Sequence, residues 1–153
     1  MRSVGIVVAI VTALVAIGFT GCGGGDDSSS TTTAAISKED FVAFGNKICA
    51  EGNKTFDAAA KSAFSGGKPT EAEMTKFVDE TAVPTIQGEI DGIRAIGAPE
   101  GDEDQVNAIL DAAQKGVDTI SADPTAFGPG NADPFAEANK LASDYGLTEC
   151  AGG

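Results

Sequence analysis

The chain has 153 residues, 23 acidic and 10 basic side chains, a net charge of −13 and no histidine. That length holds one domain at most, and the acidic excess argues against nucleic acid and against direct docking on anionic lipid headgroups, both of which need basic patches. Without histidine the commonest general base, the usual zinc ligands and Ser/His/Asp catalysis are all missing.

Met1-Arg2 is a short positive start, Val4 to Phe19 is almost wholly apolar, and Thr20 and Gly21 are small. A charged lead, an apolar run of this size and a small-residue exit describe an export signal. The rival is a membrane-spanning helix, for which about 18 apolar residues is the lower edge; Gly5, Thr12, Gly18 and the lack of a basic cluster after Gly21 favour the signal. "FTGC", Phe19 to Cys22, resembles the lipobox of bacterial lipoproteins, although a smaller aliphatic is usual where Phe19 stands. The resemblance implies that Cys22 is acylated and becomes the mature first residue; the bland alternative is a spare thiol in a linker. Acyl chains contribute about 0.8 kcal/mol per buried CH2, so two or more would hold a small domain on a membrane.

After Cys22, "GGGDDSSSTTTAA" has nothing to bury, and 13 residues of this composition span roughly 20 Å. The expected organisation is a signal peptide over 1–21, a lipidated Cys22 with a flexible linker over 22–35, and a helical domain over 36–153. This body carries 21 acidic and 9 basic residues. The excess reads first as solubility, and second as an acidic face for a cationic ligand or divalent ions. Its two cysteines, Cys49 and Cys150, read as a disulfide in an exported chain. Closing a loop of about 100 residues is worth roughly 4.7 kcal/mol in the chain-entropy treatment.

The first predicted helix starts at "ISKEDF", with Ser37 as cap, Asp40 at the capping-box position and Ile36 and Phe41 as a hydrophobic staple. Phe41, Phe44, Gly45, Ile48, Cys49, Gly52, Phe56, Ala59, Ala60 and Phe64 recur at helical pitch to about Ala63. Gly45, Gly52 and Ala59, seven apart, suggest a stripe where another helix comes close. A second helix starts at Thr70, where "TEAE" is a full capping box through Glu73. Its apolar phase, from Met74 and Phe77 through Ile86 to Ile93, continues across Pro84, which favours one kinked helix over two. A third is expected after Asp102 as cap, with Val106, Ile109, Leu110, Ala113, Val117 and Ile120 as its stripe. The fourth is expected from Asp133 as cap and Pro134 at the first helical position, with Gly146 as a left-handed exit and Leu147 folding back on Leu141. No strand pattern is found. The expected fold is therefore all-α, an up-and-down four-helix bundle with a kinked second helix, stapled by one disulfide.

The stretches "SKEDFVAFGNKICAEGN", "VPTIQGEIDGIRAI", "GAPEGDE" and "ANKLASDYGLTEC" resemble a family of small secreted or lipid-anchored actinobacterial helical proteins, marked by a "DF…A..IC" opening and a "YGL..C" close. The resemblance spans nearly the whole body and implies an extracytoplasmic helical domain with its two cysteines paired. It implies no activity.

Candidate chemistry is sparse. "SGGK", Ser65 to Lys68, matches S-x-x-K by letter but reads as a loop, with no K-T-G partner. "EGDED" reads as acids at a helix start rather than an EF-hand loop. Glu89 with Asp91, and Asp102 with Asp104, are paired acids, but the chain has no Trp and one Tyr to build a sugar cleft. Asn53-Lys54-Thr55 is a glycosylation sequon by letter only, and the phenylalanines at 41, 44, 56, 64 and 77 read as core. No catalytic residue, metal ligand or cofactor is expected, and Cys22, Cys49 and Cys150 are the candidate site residues. The first expectation is a non-enzymatic lipoprotein at the outer face of the cell membrane, acting as a binding or assembly module for an unknown protein partner. The alternative is a carrier or sensor of a small apolar or cationic ligand held between helices, beside the glycine stripe and the Pro84 kink; an interior pocket lined by Phe and Ile with one or two inward carboxylates would favour it.

Overall fold

Ser37 opens the first helix, accepting the Asp40 N–H at 3.1 Å while its own hydroxyl donates to the Asp40 carboxylate at 2.7 Å. The computed structural model describes residues 35–128 and 130–152, and Cys22 and the proposed signal and linker up to residue 34 lie outside them. From this cap α1 runs over Lys38–Ala63, the span its apolar period predicts. Thr70 makes the predicted capping box with Glu73 at the head of α2, Glu71–Phe77. The helix continues through a π turn, Val78–Ala82, into α3, Val83–Ile96. Pro84 brings no N–H and its ring needs room one turn back; the wider turn just before it, where the Val83 N–H reaches the Val78 carbonyl, supplies that room. The helical run from Glu71 to Ile96 is unbroken. α4 covers Glu103–Ala122 and α5 Ala136–Tyr145, with single 3-10 turns at Pro124–Phe127 and Thr148–Cys150. The described residues contain four helical runs and no strand.

α3 packs between α1 and α4, and α5 lies along α4. One core cluster joins Phe41, Cys49, Ile90, Ile93, Leu110 and Leu147, among others; a second gathers Phe77, Val78, Ala82 and Ile120, with Phe56 and Phe64 packed against it. Cys49 and Cys150 form the disulfide, with Cα atoms 5.1 Å apart, tying the middle of α1 to the chain's end. α5 ends in the expected Schellman arrangement: Gly146 is left-handed at φ 109°, its N–H donates to the Ser143 carbonyl, and the Leu147 N–H donates to the Ala142 carbonyl.

Several expectations are corrected. Phe44 is 54% exposed rather than core; it lies one position off the face that buries Phe41, Gly45 and Cys49. The glycines of the stripe are filled by side chains, and the one at Gly52 comes from α3, which packs on α1. Gly45 makes room for the Leu147 side chain, whose Cδ2 would stand 2.5 Å from an added Cβ, and Gly52 makes room for the Glu89 carboxylate. Asp102 precedes α4 but makes no side-chain cap. Its carboxylate instead accepts the Tyr145 hydroxyl at 2.7 Å and pairs with Lys38 at 3.3 Å, and Lys38 sits over the Tyr145 ring. α5 begins at Ala136, three residues after Asp133, although the Asp133 carboxylate does accept the Phe135 N–H at 2.8 Å.

Candidate functional site

Where the two core clusters meet, α1, α3, α4 and α5 line a cavity of about 340 Å3 that is partly open to solvent. Small-molecule sites occupy roughly 300–1,000 Å3, whereas ordinary packing leaves few voids larger than a water molecule. The volume follows from side-chain size: α4 and α5 present Ala113, Ala138 and Ala142 to this space, and α1 presents Gly52 beside it. The opposite wall is branched and aromatic, with Ile86, Ile90 and Ile93 from α3 and Phe56 from α1.

Phe127 and Phe135 complete the aromatic end. Phe127 stands on the 3-10 turn before the long connection to α5, edge-on to Phe56 at 5.8 Å and to Phe135 at 6.5 Å between ring centroids. Phe135 lies against Gly116 of α4, where a Cβ would collide with its ring. The glycine therefore sets how closely the connection lies on α4, and so where this wall stands.

The cavity also holds charge. Glu89 of α3 is half-buried, and its carboxylate fits the notch that Gly52 leaves in α1. Burial, with no compensating cation, pushes its carboxyl up to about 7. Among the described residues it has no ion-pair or hydrogen-bond partner. Asp133 lines the same space from the exposed segment before α5, its two oxygens taken by the Phe135 N–H and, at 3.1 Å, by Asn139 Nδ2. No lysine or arginine lines the cavity among the described residues.

The disulfide forms part of the wall, since Cys49 and Cys150 both line it. Two asparagines one heptad apart on α1 fasten the tail beside it. Asn46 donates to the Gly146 carbonyl at 3.0 Å and accepts the Glu149 N–H at 2.9 Å, and Asn53 donates to the Glu149 carbonyl at 2.8 Å. The mid-helix sequon residue Asn53 is thus a structural clasp at the cavity's edge.

The other candidate groups do not converge. Asp91, the sequence neighbour of Glu89, is turned outward to Arg94 at 3.0 Å and Gln87 at 3.2 Å. Asp102 is held by Tyr145 and then Lys38, which keep its carboxyl below the usual range. Glu103 of the "EGDED" run accepts the Gly101 N–H at 2.8 Å. Ser65 and Lys68 lie in the turn after α1. Among the described residues no three His, Cys, Asp or Glu gather as metal ligands, and no helix is long and apolar enough to cross a membrane.

Sequence reasoning read Phe135 as inward-facing but missed that Glu89, Asp133 and Phe127 meet it at one cavity. One signal was present in the letters: Gly52 and Glu89 interrupt otherwise apolar helix faces, and each interruption is costly unless the two meet. The chain matches no known protein-family profile, no curated protein and no solved structure.

Proposed function

We propose that this protein is a membrane-tethered extracytoplasmic carrier or sensor that holds a small, largely apolar ligand in the cavity between its helices. The supporting observation is the cavity itself: about 340 Å3, walled by Phe and Ile side chains with the Glu89 carboxylate set into it. A binding-module role is supported by a site built for occupancy rather than for proton transfer between converging groups. The rival assembly module would need a broad exposed apolar patch; among the described residues Phe44 is the one large apolar side chain exposed, which is ordinary for a protein surface. In this reading the domain is non-enzymatic, binds no nucleic acid, and is anchored through acylated Cys22 on the outer face of the cell membrane. It belongs with the small actinobacterial secreted and lipid-anchored helical proteins that its opening and closing motifs resemble. Its helices run alternately up and down, and the second bends at the π turn before Pro84, beside the cavity residues Thr85 and Ile86.

Native mass spectrometry of the full chain extracted in mild detergent tests the carrier reading. One small molecule per chain is expected, absent from Ala113→Phe, in which a large ring fills the cavity; wild type and variant giving the same bare mass would count against it. For the anchor, metabolic labelling with a fatty acid should mark wild type and not Cys22→Ser, and equal labelling of the two would refute acylation at that residue.

A further inference from the structure

We propose that the ligand is an organic ammonium: an apolar body lying among the Phe and Ile walls, with an N–H-bearing cationic head on the Glu89 carboxylate. This inference rests on reading the cavity as a ligand site, and adds to it the charge and donor character of what enters.

The sign of the ligand follows from the cavity's inventory. Its charged residues are Glu89 from α3 and Asp133 from the segment before α5, with no lysine or arginine beside them among the described residues. The body as a whole is strongly acidic. An anionic ligand would add negative charge beside two acidic side chains with no basic residue to balance it, whereas a cation is drawn in by the carboxylates and by the surrounding field.

The need for N–H donors follows from the hydrogen bonding. Asp133 already accepts from the Phe135 N–H and from Asn139. Glu89 accepts from no donor among the described residues although it is half-buried against Gly52. A carboxylate only partly reached by water is stabilised most by a charged donor. Burial raises the Glu89 carboxyl toward neutrality, and an arriving ammonium would return it to the ionised form.

A metal ion fits less well than an organic cation. Hard divalent ions take six or more oxygen ligands, and no cluster of three His, Cys, Asp or Glu exists among the described residues. The remaining walls are apolar, with Ile86, Ile90, Phe56, Phe127 and Phe135 offering contact to hydrocarbon and to aromatic rings. The site thus suits an amphipathic molecule, polar at one point.

The test uses three probes of one skeleton, 3-phenylpropylammonium, 3-phenylpropanol and 3-phenylpropanoate, titrated into the full chain in micelles and into protein-free micelles. Glutamate-selective 13C labelling reads the Glu89 carboxyl directly. The amine should saturate at one per chain, shift the Glu89 signal and bind about tenfold tighter than the alcohol, the step from a neutral to a charge-assisted hydrogen bond. The carboxylate probe should be the weakest. In Glu89→Gln, checked for folding by circular dichroism and for an intact disulfide by mass, the amine should lose its advantage over the alcohol. Equal binding of amine and alcohol, or an amine advantage that survives Glu89→Gln, overturns the ammonium inference and leaves the cavity a ligand site. Failure of all three probes to bind beyond empty micelles, in wild type and Ala113→Phe alike, overturns both.

Discussion

Glu89 should make the protein less stable as the solution becomes less acidic. An unfolded chain ionises this glutamate at its ordinary value of 4.5, whereas in the fold burial pushes it to about 7. Between those values the native state retains a proton that the unfolded state has lost, so stability falls as pH rises from 4.5 to about 7 and is level above it. At 1.36 kcal/mol for each tenfold change in proton affinity, the full effect would be about 3 kcal/mol. Water still reaches the half-buried carboxylate and screens it, so about 2 kcal/mol is the expected loss. Histidine, the side chain that ordinarily titrates near neutrality, is absent, and Cys49 and Cys150 are joined, which leaves this window uncluttered. Urea unfolding of the ligand-free protein at pH 5, 6, 7 and 8 should show the decline in wild type and a flatter profile in Glu89→Gln. The two profiles running parallel would refute the reasoning, because the decline would then belong to other groups. Direct titration of the Glu89 carboxyl by 13C NMR provides an independent check on the midpoint.

The Gly52 notch predicts a coupled pair. Gly52→Ala should destabilise the protein by about 1–3 kcal/mol, because its Cβ meets the Glu89 carboxylate, and should do so much less in a Glu89→Ala background; a urea double-mutant cycle reads the difference. Replacing both Cys49 and Cys150 with alanine should cost up to about 4.7 kcal/mol in the same assay, and reduction of the native protein should add two hydrogens to its intact mass. Phe44→Ser, at an exposed position, should change stability by no more than about 0.5 kcal/mol, in contrast to Phe41→Ser on the buried face, and thermal melts followed by circular dichroism distinguish the two.

What the letters determined by themselves was local. Helix starts at Ser37 and Thr70, the reach of α1 to Ala63, the left-handed exit at Gly146 and the four helical runs depend on contacts within a few residues, and local hydrogen bonding and apolar period decide such features. The Cys49–Cys150 pair was legible because the body has two cysteines, and the expectation of export made their pairing the first reading. Tertiary structure decided where side chains go once helices meet. Whether Asp102 caps α4 or reaches Tyr145 depends on a residue 43 positions away, and nothing near Phe44 announces which way that turn of α1 faces. The cavity was least legible, because its volume comes from small residues on α4 and α5 set opposite Ile and Phe side chains of α3 and α1, and the place of Glu89 from a glycine on another helix that leaves it room. A void is a property of the space between elements, so periodicity within any one of them carries no record of it.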